Sequence, residues 1–118
     1  MVRLIALLAA LAAAAAVLTA TSSAKSTGLV GEVGPGFTIE VKQGSKDVKT
    51  LKAGTYKLKV EDKSPMHNFH LIGPGLNKKT SVGSTSEQTW TVTLKKGKYT
   101  YQCDPHAARG MKGSFTVT

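Results

Sequence analysis

Cys103, His106 and Met111 place a thiolate, an imidazole and a thioether in one short stretch, Tyr101-Gln102-Cys103-Asp104-Pro105-His106-Ala107-Ala108-Arg109-Gly110-Met111. Thiolate and thioether are soft donors that favour Cu(I), and imidazole suits copper in either oxidation state. Two histidines, one cysteine and a distant methionine make the donor set of an electron-transfer copper site, so the stretch lacks one histidine. Two candidates stand upstream, His67 and His70, in Ser64-Pro65-Met66-His67-Asn68-Phe69-His70-Leu71. Taken singly, Cys103 reads as a buried thiol, Met111 as core filler and His106 as a loop histidine. Taken together, with Pro105 between Cys103 and His106 and with His67-Asn68 upstream, metal ligation is the better reading. Cys103 is also the only cysteine in the chain. In an oxidising compartment such a thiol oxidises or mispairs unless it is buried, ligated or partnered.

The elements that must position these groups read as strands. Tyr56, Leu58 and Val60 alternate with Lys57, Lys59 and Glu61, and Trp90, Val92 and Leu94 alternate with Thr91, Thr93 and Lys95. After a Gly34-Pro35-Gly36 turn, Phe37, Ile39 and Val41 alternate with Thr38, Glu40 and Lys42. Period-two alternation rich in Val, Thr and aromatics predicts half-buried antiparallel strands. Further strands are expected at Leu29 to Val33, near Val48 to Leu51, and at His67 to Ile72, Lys98 to Cys103 and Ser114 to Thr118. About eight strands and no helical period predict an all-β Greek-key sandwich or barrel. Residues 73–87, rich in Gly, Ser, Thr and Asn, are expected to form the longest irregular stretch.

Alternation also orients the candidate ligands. Cys103 shares parity with Tyr99 and Tyr101, so its sulfur is expected to point inward. Pro105 cannot donate to a strand ladder and ends the strand, and Gly110 and Gly113 ease the return of the chain. His67 and His70 are three residues apart and face opposite sides of a strand. His67 shares parity with Phe69 and Leu71, so it is expected to face the core. His70 pairs with Asn68 and Ile72, and is expected on the other face or hydrogen-bonded beneath a loop. It stands as the alternative ligand.

The remaining signals concern compartment and charge. Arg3, the apolar run Leu4 to Leu18 and the small or polar residues 19–24 have the order of a secretory signal peptide. Cleavage after Ala24 would leave one domain, residues 25–118, exported to the periplasm, envelope or exterior. An uncleaved membrane anchor is the alternative, although the run is short and Ala-rich for a span. The formal net charge is +9, and a basic balance suits nucleic acid, an anionic membrane or an acidic protein. Here the lysines are spread along the chain, flanking Leu58 and surrounding Gly97, as on solvated strand faces that discourage edge pairing. Export, and aromatics at core positions, argue against nucleic acid.

His67-Asn68 at mid-chain, with Cys103-Asp104-Pro105-His106 and Met111 before the last strand, resembles the plastocyanin and amicyanin branch of the cupredoxins. The likeness covers the whole of residues 25–118. It implies a blue copper protein with one ion cycling between Cu(I) and Cu(II), held by His67, Cys103, His106 and Met111. It further implies that Asn68 ties the two ligand-bearing segments together, and second-shell bonds of that kind orient ligands and tune the metal. The implied function is one-electron transport by a monomer that meets a redox partner protein near His106. Met66, Ala107 and Ala108 would surround the docking point, with Arg109 in the ligand loop. The acidic docking patches of plant plastocyanins have no counterpart in this basic chain, so an acidic partner is the match its charge offers. Copper sequestration or delivery in the envelope is the alternative function for the same ligands. A zinc hydrolase would need the open position that Met111 fills. A cysteine nucleophile activated by His106 lacks further catalytic partners, so no enzyme is expected.

Overall fold

Ten strands and one short 3-10 helix make up residues 28–118, the part of the chain that the computed structural model describes. The expected signal peptide and its cleavage after Ala24 lie outside the described residues. The strands are β1 (Gly28–Val33), β2 (Ile39–Gln43), β3 (Lys46–Asp47), β4 (Thr50–Leu51), β5 (Gly54–Asp62), β6 (His70–Gly73), β7 (Leu76–Lys79), β8 (Ser86–Leu94), β9 (Gly97–Gln102) and β10 (Lys112–Val117). They form two five-stranded sheets, ordered β3-β2-β1-β5-β8 and β4-β10-β9-β6-β7. The chain changes sheet repeatedly, so strands distant in sequence become neighbours, as in Greek-key sandwiches. Most pairs are antiparallel, but β1 runs parallel to β5 and β10 parallel to β4.

The alternations of β5 and β8 emerge as read. Tyr56, Leu58 and Val60 point inward opposite Val92, Trp90 and Gln88, while Lys57 and Lys59 face water. The core between the sheets holds Leu29, Val33, Val41, Leu58, Phe69, Leu71, Trp90, Leu94, Tyr99 and Phe115 among others. Its aromatics are ordered, with Tyr99 stacked on Phe115 at 5.4 Å and Phe69 stacked on Tyr101 at 6.2 Å between centroids.

Four expectations need correction. The strand count is ten rather than about eight, because the short β3 pairs with β2 and a further strand, β7, forms on the sheet edge. That strand lies in the stretch 73–87 read as irregular; an edge strand with one face in water can be polar, and Asn77-Lys78-Lys79 give no apolar alternation. The strand expected from His67 starts only at His70. Phe37 does not join β2 but sits in the preceding turn, 52% exposed.

The register also arranges charge. Glu40, Glu32, Glu61 and Glu87 lie side by side across β2, β1, β5 and β8. Like charges in one row repel, and Lys42, Lys59 and Lys63 interleave with them at 3.0–3.9 Å. The outer face of the other sheet carries exposed Lys79, Lys98 and Lys112.

Candidate metal centre

The sandwich brings three donor atoms together at one end. His67 sits in the segment that leads into β6, where its N–H donates to the Ser64 carbonyl at 3.2 Å. Cys103 directly follows β9 and caps the 3-10 helix Asp104–Arg109, which carries His106. Cys103 Sγ is 3.6 Å from His67 Nδ1 and 3.4 Å from His106 Nδ1, and the two nitrogens are 3.1 Å apart. A point equidistant from these atoms lies about 2.0 Å from each, close to ordinary metal–nitrogen and metal–sulfur bond lengths of about 2.0–2.3 Å. The donor set and its spacing therefore fit one first-row metal ion, and soft sulfur beside imidazole fits copper. Cys103 is a free thiol and fully buried; His67 is buried and His106 half-buried.

The loop between β9 and β10 is closed by its own backbone. The N–H of Cys103 donates to the Met111 carbonyl at 3.0 Å, and the Met111 N–H to that of His106 at 3.3 Å. Gly110 turns the chain at φ +93°, a left-handed conformation that glycine adopts without strain. The Met111 side chain is buried in the core cluster.

A second layer fixes the His67 segment. Asn68 Oδ1 accepts the Asp104 N–H at 2.8 Å, and Asn68 Nδ2 donates to Asp104 Oδ2 at 2.9 Å and to the Thr80 carbonyl at 3.4 Å. Thr80 Oγ1 accepts from the Phe69 N–H at 2.8 Å and donates to the buried Asp62 carboxylate at 3.0 Å. His70 is turned away from the donor triangle. Its Nδ1 lies 2.7 Å from Asp104 Oδ1 and its Nε2 lies 2.6 Å from Asn77 Oδ1. Burial alone would push the Asp104 carboxyl up. Hydrogen bonds from Gln102, His70 and Asn68, with the charge of His70, outweigh it and hold that carboxyl down at about 2.

Two features had no signal in the sequence. Phe37 packs its ring edgewise against His106, with centroids 4.8 Å apart, and against His67 at 6.0 Å. The Gly34-Pro35-Gly36 turn permits this approach. A Cβ at Gly34 would meet Ser64 Cβ at 3.1 Å and His67 Cδ2 at 3.2 Å, and its φ is +73°. Asp104, which the sequence shows only as a neighbour of Cys103, is the hub of the second layer. Of the residues expected to face a partner, Met66 is 68% exposed, Ala108 and Arg109 are exposed and Ala107 is half-buried.

Comparison with known proteins agrees with this donor set. Residues 32–118 match the copper binding proteins of the plastocyanin/azurin family. The plastocyanin of Daucus carota is 56% identical over 32 residues, which are 26% of this chain and 33% of that protein. The match thus spans about a third of the length of the curated relatives. Among solved structures, a rusticyanin variant superposes with a TM-score of 0.58 at 22% identity, covering 77% of this chain and 76% of that one. Dithionite-reduced auracyanin from Roseiflexus castenholzii gives 0.56 at 23% identity, covering 79% and 98%. These likenesses show a shared fold. With a family match across most of the chain and a His-Cys-His triangle of copper-binding dimensions, the chain belongs to the plastocyanin/azurin family of copper-binding proteins, the cupredoxins.

Proposed function

We propose that this protein is an exported one-electron carrier in which His67, Cys103, His106 and Met111 hold a single copper ion. The observation that carries this reading is the convergence of two imidazole nitrogens and one thiolate sulfur within 3.1–3.6 Å, on a frame of two packed sheets. Copper, when bound there, would supply a Cu(II)/Cu(I) couple for one-electron transfer between partner proteins. The chain's own part is to hold the donors still. Cys103 and His67 are buried, and Asn68 bonds both ligand-bearing segments, so little needs to rearrange when the charge changes. Met111, buried at the end of the same loop, would be the fourth residue to hold the ion.

His106 is the half-buried edge of the site and the exit for the electron. Around it, exposed Phe37 and Met66, with Ala107 and Ala108, offer an apolar contact for a short-lived encounter. Arg109 lies in the same loop, and Lys112 follows it. The glutamates of the other sheet are matched by lysines, so the surplus positive charge suits a partner with an acidic docking face. Export rests on the leader at residues 1–24. Among the described residues no helix is long and apolar enough to cross a membrane.

The visible spectrum of the protein with Cu(II) tests the ligand set. An intense blue band is expected, lost on reduction and absent from Cys103→Ser. Fast electron self-exchange with copper retained against a chelator supports the carrier. Slow exchange with ready copper loss would instead support sequestration or delivery.

A further inference from the structure

Asp104 stands outside the proposed ligand set, yet its side chain joins more segments than any ligand does. Oδ2 accepts from Asn68, beside His67, and Oδ1 accepts from Gln102 Nε2 at 2.9 Å, at the end of β9. Oδ1 also faces His70 Nδ1 at 2.7 Å, at the start of β6, and His70 passes the connection to Asn77 on β7 at 2.6 Å. The ring of His70 thus lies between two oxygens. Both are satisfied if both ring nitrogens carry protons, or if the Asn77 amide turns to donate its NH2. In either arrangement the Nδ1–H of His70 donates to Asp104. His70 is 13% exposed and Asp104 34% exposed, so the pair sits at the boundary between protein and water.

We propose that Asp104 and His70 are paired positioning residues of the copper centre that set its reduction potential in opposite directions. This rests on the ligand assignment proposed above. The Asp104 carboxylate follows Cys103 directly, and a negative charge close to the metal favours the more positive Cu(II) state. His70 draws charge away from that carboxylate by donating to it, which favours Cu(I). The same carboxylate pins the 3-10 helix carrying His106 to the segment carrying His67. Bonds of this outer layer orient ligands, and losing one typically costs about 10–100-fold in metal affinity.

The opposed signs distinguish this from loosening of the fold, which would move both variants alike. With copper bound, Asp104→Asn is expected to raise the reduction potential and His70→Ala to lower it, the blue band remaining in both. In the metal-free protein, Asp104→Ala is expected to speed the solvent exchange of the Asn68 side-chain amide protons, measured by NMR, although the Thr80 carbonyl still accepts from that amide. It should also weaken Cu(II) binding by at least about 10-fold. Potentials that move in the same direction, or not at all, with the blue band intact would overturn the proposal. So would unchanged Asn68 amide exchange in Asp104→Ala. If the unsubstituted protein shows no thiolate–copper band, it is the ligand assignment that fails, and the exchange measurement still decides whether Asp104 clamps the loop.

Discussion

The Nδ1 atoms of His67 and His106 lie 3.1 Å apart, although 39 residues separate them in the chain. Nitrogens so close can share one proton but not hold one each without repulsion, so the folded chain presents an arrangement that a metal cation satisfies better than protons do. Binding of such a ligand to the folded state alone stabilises it by mass action, about 2.7 kcal/mol at a free copper concentration roughly 100 times Kd. Copper should therefore raise the thermal midpoint of the protein in calorimetry. Cys103→Ser should lose most of that increment. An equal copper-induced shift in both proteins would count against thiolate ligation.

Gly34 is the narrow point behind His67. Gly34→Ala places a methyl within 3.2 Å of the imidazole and forces a left-handed backbone on a residue with a side chain. The backbone cost alone is about 1–2 kcal/mol. The expected result is a lower urea midpoint together with weaker copper binding, because the clash is with Ser64 and with His67, a proposed ligand. A loss of stability with copper affinity unchanged would show that His67 does not move.

Phe69 and Phe37 make a contrasting pair near the site. Phe69 is fully buried against Trp90 and Tyr101, so Phe69→Ala should cost about 3–5 kcal/mol in chemical denaturation. Phe37 is half in water, and its aromatic contacts with the two histidines are worth about 0.5–1.5 kcal/mol. Phe37→Ala is therefore expected to leave the fold nearly as stable while speeding copper loss to a chelator, since the ring covers the edge of His106. Unchanged loss kinetics would remove Phe37 from the site.

Acid should weaken the metal-free protein through Asp104. Its carboxyl is held at about 2, against an ordinary value of 3.8. A group with a depressed folded-state pKa gives stability that is complete above its unfolded value and disappears as pH falls through the folded one. This contribution is thus present at neutral pH and is lost between about pH 4 and pH 2. Screening keeps it modest for a carboxylate that is a third exposed. Urea midpoints from pH 5 to pH 2 should fall less steeply for Asp104→Asn than for the unsubstituted chain. Parallel slopes would show that the carboxylate gains nothing from its donors.

Much of this site is legible in the residues themselves. Strand alternation orients Leu58, Val60, Trp90 and Val92, and the parity of Tyr99, Tyr101 and Cys103 turns the thiol inward. The same parity favours His67 over His70, and it does so although His67, Asn68 and Phe69 lie outside any strand: extended chain keeps the alternation without the ladder. Parity fails for Asn68, which is buried, because Asp104 and Thr80 meet its amide from distant parts of the chain. The hub role of Asp104 is illegible for the same reason, as two of its three side-chain donors come from 34 and 36 residues away. Phe37 misleads because Ile39 and Val41 continue its alternation. The turn at residues 34–36 releases it from β2 and lays it over His106.

The ligand loop is held from both sides, by β9 before it and by β10 after it, and β10 in turn pairs with β4. Threading order follows from this. A growing chain that has passed His106 owns every proposed donor but Met111, yet it lacks the strand that closes the loop, so the donors are not locked in place until β10 has left the ribosome and docked. Metal capture is thus an event of the finished fold. A chain carried unfolded across a membrane would meet its copper only on the far side, where the ion supply of that compartment, not of the cytosol, determines what fills the site.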